Sequence, residues 1–122
     1  MNLGRKGESI ACRFLEERGH TVIDRNWRSG HLEIDIVSMD GAGLHFTEVK
    51  SRTAPYAARP EENVGYYKQQ KLIRAAKAYL NSLAHKGVRS DFEIFFDILS
   101  VVFDGPRTEI TYFPSAFLPI YV

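Results

Sequence analysis

Two neighbouring stretches of alternating side chains, separated by a glycine-rich turn, constrain this chain more than any other feature of its sequence. Residues Leu32 to Met39 and Leu44 to Arg52 each alternate in polarity, and the sequence Asp-Gly-Ala-Gly at positions 40–43 lies between them. Alternation with a period of two is typical of β-strands, and a short turn of this composition joins antiparallel strands. The sequence therefore predicts a β-hairpin.

The turn also fixes which residues of the hairpin lie opposite each other. A two-residue loop pairs Asp40 with Gly43, a four-residue loop pairs Met39 with Leu44, and both give the same register. Asp35 then lies opposite Glu48, and Glu33 opposite Lys50, with the β-carbons of each pair about 5 Å apart. Strict alternation separates the first strand into two faces, one with Leu32, Ile34 and Ile36 and the other with Glu33, Asp35, Val37 and Met39.

The remaining elements place this hairpin in an α/β fold. Apolar stripes at helical spacing predict helices at Leu3 to Arg18 and Tyr66 to Lys86. Further strands are predicted at 20–24, 91–103 and 108–113, with a connection at 26–30, a loop at 53–65 and an apolar tail at 115–122 that packs on the body or on a partner. We expect a mixed central β-sheet flanked by helices, in a single domain spanning residues 1–122.

Composition excludes several classes of protein. A chain of 122 residues with 44% hydrophobic and 25% charged residues has the make-up of a soluble globular domain. Its apolar runs are too short to span a bilayer, the first twenty residues show no secretory signal, and Cys12 is the only cysteine. We therefore expect a cytoplasmic protein with no membrane partner and no intramolecular disulfide.

Positive charge is concentrated in one part of a nearly neutral chain. The net charge is +1, yet the segment from Lys50 to Lys77 carries seven basic residues against two acidic ones. Such a region suggests an anion-facing surface, although a solvated helix face explains it equally well. The candidate nucleic-acid-binding residues are Arg52, Lys68, Lys71, Arg74 and Lys77.

The hairpin carries the strongest indication of chemistry. Two neighbouring carboxylates, Asp35 and Glu48, repel each other unless a positive charge lies between them. A hard cation such as Mg²⁺ or Mn²⁺ prefers such oxygen ligands, whereas cross-strand ion pairs on a wet sheet face are the alternative. The apolar residues near them favour a covered face and hence the metal site. Glu8, at the edge of the first helix's apolar side, can reach the same place, although favourable placement near a helix N-terminus is the other explanation.

Other conspicuous side chains have simpler explanations. His20, His31, His45 and His85 show no metal-ligand spacing, so we expect no zinc site. Trp27 is interpreted as a half-buried anchor, with stacking on nucleic acid as the alternative.

The motifs taken together resemble a known family. Ile34-Asp35 followed by Glu48-Val49-Lys50 is similar to the core of PD-(D/E)xK nucleases. With the motifs at residues 4–8, 26–28, 33–37, 48–52 and 71–76, the chain from Gly4 to Asp97 resembles the small bacterial YraN-like endonuclease-related family, which is similar in its core to archaeal Holliday-junction resolvases. It departs at Ile34, where the superfamily has proline, at Leu32, where the family prefers glycine, and at Phe96 before Asp97.

The resemblance implies a restriction-endonuclease-like fold and Mg²⁺-dependent cleavage of phosphodiester bonds. Carried over by position, Asp35 and Glu48 are metal ligands, Lys50 is the catalytic lysine and Glu8 matches a glutamate of the resolvase-like members. We expect an endonuclease acting on DNA, on branched or single-stranded structures.

Two other functions are compatible with the same sequence. One is a nucleic-acid-binding module with weak or no cleavage, and the other is an interaction subunit for DNA-processing proteins. DNA is the expected partner, and a homodimer through an apolar surface or the C-terminal tail is a further expectation. The sequence is compatible with several substrate structures and with either DNA or RNA as the substrate.

Overall fold

The computed structural model describes residues 3–55, 65–88 and 91–117. Most of the predicted loop at 53–65, and the tail from residue 118 onward, lie outside the described residues. In chain order the elements are α1 (Leu3–Glu17), β1 (Thr21–Ser29), β2 (Leu32–Met39), β3 (Leu44–Thr53), α2 (Tyr66–His85), β4 (Ile94–Asp104) and β5 (Arg107–Phe117).

The five strands form one mixed sheet in the order β1-β2-β3-β4-β5, which confirms the predicted fold class. All neighbours pair antiparallel except β3 and β4, which run parallel and are connected through α2. The hairpin register is the predicted one, from Ile36 opposite Thr47 to Met39 opposite Leu44. An α/β sheet of this kind with helices on it is compatible with a restriction-endonuclease-like fold.

The two helices cover opposite faces of the sheet, each over its own apolar cluster. Under α2 the cluster includes Val37, Phe46 and Phe96, and under α1 it includes Ile36, Leu99 and Val101. Because Val37 and Ile36 are neighbours on one strand, their separate clusters lie on the two faces of the sheet. In β3, Phe46 belongs to the α2 side, so even-numbered side chains of that strand, Glu48 and Lys50 among them, share this face as predicted.

The predicted alternation in β2 is wrong at one point. Ile34 packs in the α2-side cluster while Ile36 packs in the α1-side cluster, although strict alternation would place both on one face. The break falls at Asp35, which lies between these two residues. Opposite it in β1 is Asn26, between the pairs Arg25–Ile36 and Trp27–Ile34, with a left-handed φ of 50°.

The first strand is longer than predicted. Residues 26–29 continue β1 because Trp27, Arg28 and Ser29 all pair with β2, and the chain turns only at Gly30, where φ is 62°. The predicted connection over Asn26 to Gly30 is therefore wrong.

Glycine permits a close approach between α1 and the centre of the sheet. A β-carbon at Gly7 would lie 1.8 Å from the Ser51 hydroxyl oxygen and 3.0 Å from its β-carbon. The absence of a side chain at position 7 thus brings the first turns of α1 against β3, next to Lys50.

In the described part of the chain, neither helix combines the length and the apolar character that crossing a bilayer requires.

Candidate active site

Asp35 lies where strands β2 and β3 separate. The described pairing of the two strands stops at Ile36 and Thr47, and the Asp35 carboxylate instead accepts a hydrogen bond from the Val49 backbone N–H at 2.8 Å. This side-chain contact takes the place of a backbone hydrogen bond between β2 and β3, and it holds the carboxylate between the strands. Burial and the neighbouring Glu48 carboxylate raise the pKa of Asp35 to about 7, even though the hydrogen bond from Val49 opposes the change.

Two lysines flank the second carboxylate of the pair. The Oε1 atom of Glu48 accepts a hydrogen bond from the Lys68 ammonium at 2.7 Å and lies 3.7 Å from the Nζ atom of Lys50. Lys50 is 7% exposed. Burial and the neighbouring Lys68 lower the pKa of Lys50 to about 8, against the opposing effect of Glu48. A buried lysine with a lowered pKa beside crowded carboxylates is typical of functional sites.

Glu8 approaches the pair from the α1 side. It is half-buried, one residue after the Gly7 contact, and its charge contributes to the raised pKa of Asp35. It also lines a surface depression with Gly4, Arg5, Asn26 and Arg28. Of the residues named as catalytic, Glu48 and Glu8 are thus close enough to Asp35 to raise its pKa, and Lys50 lies 3.7 Å from Glu48.

Neither predicted cross-strand pair, Asp35 with Glu48 or Glu33 with Lys50, belongs to the described β2–β3 ladder, which ends at Ile36 and Thr47. Glu33 is exposed and makes a 3.3 Å ion pair with Arg28, its neighbour on β1, because β2 and β3 have already separated at this point. Its charge still contributes to the raised pKa of Asp35, so it lies at the rim of the site.

A cleft beside Glu48 separates the predicted basic residues into two groups. Lys68 and Lys71 line it together with Glu33, Glu48 and Leu72. Arg74 and Lys77 are exposed farther along α2, and Arg52, half-buried on β3, donates a hydrogen bond to the Ser51 carbonyl at 3.1 Å.

Lys68 is exposed, as its predicted role requires, but its ammonium also forms an ion pair with Glu48 at the edge of the site. A sequence signal for this placement exists, since Lys68 precedes buried Leu72 by four residues and buried Ala75 by seven.

The donor set fits a hard divalent cation. Asp35 and Glu48 both supply carboxylate oxygens, and the Glu48 carboxylate is close enough to raise the pKa of Asp35. The Lys68 ammonium, hydrogen-bonded to Glu48, shows that a positive charge is favourable at this position. Oxygen ligands of this kind suit Mg²⁺ or Mn²⁺. Assignment of Asp35 and Glu48 as metal ligands stays a prediction.

A second polar cluster lies on the α1 side of the sheet, and the sequence did not indicate it. It joins His20 and Asp40 to His45 and the fully buried Asp97. The spacing of these residues follows no motif, because they come from the start of β1, the β2–β3 turn, β3 and β4. Only the folded chain brings them together.

Comparison with known proteins places the chain in a family of unassigned function. A UPF0102 protein of Anaeromyxobacter dehalogenans is 40% identical over 115 residues, covering 94% of this chain and 83% of the relative. UPF0102 proteins of Bacteroides thetaiotaomicron and Geobacter metallireducens are 38% and 37% identical, covering 96% and 95% of this chain and 93% and 92% of the relatives. The pattern of the uncharacterised protein family UPF0102 matches residues 7–101, and this chain belongs to that family.

Proposed function

We propose that this protein is a metal-dependent endonuclease that hydrolyses phosphodiester bonds in DNA. The observation that carries the proposal is the position of Asp35, fixed by the Val49 N–H between two strands, with Glu48 beside it and buried Lys50 on the adjacent strand. Adjacent carboxylates facing a polyanionic substrate require a cation, whereas a protein that only binds nucleic acid does not need them. The resemblance to PD-(D/E)xK nucleases supports the same assignment.

In this mechanism Asp35 and Glu48 would hold Mg²⁺ or Mn²⁺. When bound, the ion polarises the phosphoryl group and lowers the pKa of a coordinated water. Lys68, which donates a hydrogen bond to Glu48 at 2.7 Å, is half-exposed and would lie within reach of a phosphate backbone bound at the site. Lys50, close to Glu48 and largely shielded from solvent, orients the attacking water or neutralises the developing charge.

One contact favours a second function. The Lys68 ammonium bonds Glu48 at 2.7 Å and so supplies positive charge to the site by itself. A chain in which this ion pair persists when nucleic acid binds would recognise DNA without cutting it. We therefore keep a non-catalytic DNA-binding module on the same fold as the alternative.

Cleavage assays on Lys50→Ala decide between the two functions. The substitution keeps both carboxylates, so metal and DNA binding should persist while cleavage falls about 10²- to 10⁴-fold, the usual contribution of a positioned proton-transfer group. Flaps, junctions, single strands and nicked duplexes should be tested with Mg²⁺ and Mn²⁺. Lys86→Ala, an exposed lysine at the far end of α2, is the matched control. Absence of cleavage by the wild-type protein on all substrates would leave the binding module as the function.

Metal binding gives an independent test. Mg²⁺ or Mn²⁺ should raise the melting temperature, because a ligand selective for the native state stabilises it. Asp35→Asn should abolish this shift, and Asp104→Asn, an exposed aspartate at the end of β4, should not. An equal shift in wild type and Asp35→Asn would remove Asp35 from the ligand set.

A further inference from the structure

The second cluster has the geometry of a metal site of a different kind. One ligand atom each from His20, Asp40 and His45 lies within 4.8 Å of the other two. The His20 Nε2 atom lies 3.5 Å from Asp40 Oδ2, and the His45 Nε2 atom lies 2.8 Å from Asp40 Oδ1. Both imidazoles thus direct the same ring nitrogen toward one carboxylate.

The other nitrogen of each ring is held in place by a separate partner. The Nδ1 atom of His20 is 2.9 Å from the Ser38 hydroxyl oxygen, and the Nδ1 atom of His45 is 2.6 Å from Asp97 Oδ2. Histidines that bind metals use one nitrogen for the ion and donate the other N–H to a carboxylate or similar acceptor, which fixes the ring. Asp97, with 0% exposure, is such an acceptor for His45.

The Asp97 carboxylate that supports His45 makes three hydrogen bonds in all. Besides His45, Asp97 accepts hydrogen bonds from the Tyr112 hydroxyl at 2.6 Å and from the Ser115 backbone N–H at 2.9 Å. These contacts fix the Asp97 side chain and, through it, the plane of the His45 ring. Without metal, His45 meets a carboxylate at each ring nitrogen, and a divalent cation would take the place of the proton between its Nε2 atom and Asp40.

The distances are close to those of a tetrahedral zinc site. Nitrogen and oxygen ligands about 2.0–2.1 Å from Zn²⁺ lie about 3.4 Å from each other in that geometry. The His20 separation of 3.5 Å runs to Asp40 Oδ2 and the His45 separation of 2.8 Å runs to Asp40 Oδ1, so the carboxylate would bind the ion through both oxygens or turn to present one of them, and the shorter separation would open by about half an ångström.

Solvent reaches the cluster from one side. The side chains of His20 and His45 are 4% and 7% exposed, whereas that of Asp40 is 26% exposed and borders a surface depression lined also by Gly19, Thr21 and Gly41. An ion can enter along Asp40 and keep a water as its fourth ligand.

We propose that His20, Asp40 and His45 form a second metal site, selective for a borderline transition metal such as Zn²⁺ over Mg²⁺. Imidazole nitrogen suits Zn²⁺, while Mg²⁺ prefers an all-oxygen set. The ion would connect the start of β1 to the β2–β3 turn and to β3. The proposal does not depend on nuclease activity, because it uses none of the residues of the candidate active site.

The experiment starts from the Asp35→Asn/Glu48→Gln double variant, in which the carboxylate site is removed. Calorimetry should show one equivalent of Zn²⁺ and no Mg²⁺, Zn²⁺ should raise the melting temperature, and Co²⁺ should give the visible absorption of a tetrahedral site. Adding Asp40→Asn should weaken Zn²⁺ binding more than about tenfold. Its amide oxygen can still accept the turn hydrogen bonds from Ala42 and Gly43, so the fold is kept.

Two histidine substitutions make the test specific. In His20→Asn and His45→Asn the amide takes the place of Nδ1, so contacts to Ser38 and Asp97 can persist while Nε2 is removed. Both should weaken Zn²⁺ binding, and His85→Asn, an exposed histidine at the end of α2, should leave it unchanged. Undiminished binding after Asp40→Asn and His20→Asn, or no Zn²⁺ binding by the double variant, would overturn the proposal.

Discussion

The polar cluster on the α1 side and the candidate active site both contain carboxylates, but the surroundings shift the pKa values of Asp40 and Asp35 in opposite directions. On the α1 side, hydrogen bonds from His45, Ala42 and Gly43 lower the pKa of Asp40 although burial acts against them. At the candidate active site, burial and Glu48 raise the pKa of Asp35, and one N–H from Val49 does not compensate. The comparison teaches that several hydrogen-bond donors stabilise the ionised form of Asp40, while the single N–H at Asp35 does not offset burial and the neighbouring carboxylate.

The largest expected loss of stability is in the polar cluster on the α1 side. Asp97→Ala removes a buried carboxylate that accepts three hydrogen bonds and leaves the His45 ring and the Tyr112 hydroxyl without it. We expect the free energy of unfolding to fall by about 3–5 kcal/mol in urea denaturation. Asp104→Ala, at the exposed end of the same strand, should change it by less than about 0.5 kcal/mol. A small loss in Asp97→Ala would show that the two clusters do not differ as described.

A smaller loss of stability is expected for a substitution where helix α1 packs against the sheet, beside the candidate active site. Gly7→Ala places a methyl group against Ser51 and should lower the free energy of unfolding by about 1–3 kcal/mol. Ser51→Ala in the same chain removes the closest atom and should recover part of the loss. If Gly7→Ala is neutral or stabilising through its higher helix propensity, α1 can shift freely and does not fix the position of Glu8.

Asp35→Asn should have the opposite sign from Asp97→Ala. The pKa of Asp35 rises from 3.8 to about 7 on folding, so the native state retains a proton that the unfolded chain has lost, and metal-free stability falls as the pH rises between these values. An amide cannot ionise, and its oxygen can still accept the Val49 hydrogen bond. We therefore expect a gain of about 1–2 kcal/mol at pH 8, less than the full shift because the site is partly solvated.

The same variant compared at two pH values isolates the cause of that gain. Near pH 4 the carboxyl group is protonated in the native state, so wild type and Asp35→Asn should have nearly equal stability. Thermal unfolding without metal, across this pH range, is the measurement. A gain that is independent of pH would indicate packing and not charge as its source.

The smallest effect is expected at the rim of the active site. Glu33→Gln removes a surface ion pair whose side chains are 73% and 59% exposed, so the stability should change by less than about 0.5 kcal/mol. Comparison of denaturation midpoints at low and high salt is sufficient. A large effect would mean that Glu33 belongs to the charge balance of Asp35 and not to its periphery.

The sequence predicted the parts of the structure that local rules determine. The order of elements indicated the α/β class, the turn at 40–43 fixed the hairpin register, and alternation along β3 placed Glu48 and Lys50 on one face. The break at Asp35 was not predictable, because it coincides with a left-handed Asn26 on another strand. Lys68 is exposed as predicted, but its contact with Glu48 was not predictable because it joins α2 to β3 across 20 residues of sequence.

The second polar cluster, of His20, Asp40, His45 and Asp97, could not be predicted for a different reason. Its members are separated along the chain, and no two of them share a strand or a motif. Composition and periodicity carry no information on such a contact, which depends on the parallel pairing of β3 with β4. The histidines lack the sequence spacing of known zinc motifs, but such spacing describes only ligands that lie close together in the chain.

That parallel pairing has a consequence for how the chain reaches its native state. Residues 44–53 pair with residues 94–103, so the intervening segment must be closed before this ladder yields any contact energy. The hydrogen bonds that Asp97 accepts from Tyr112 and Ser115 also need β5 in place. We expect them to form after the rate-limiting barrier, with Φ values near zero for Tyr112→Phe, whereas the β2–β3 hairpin can form early from local contacts. A Φ value near one at Tyr112 would reverse this order of assembly.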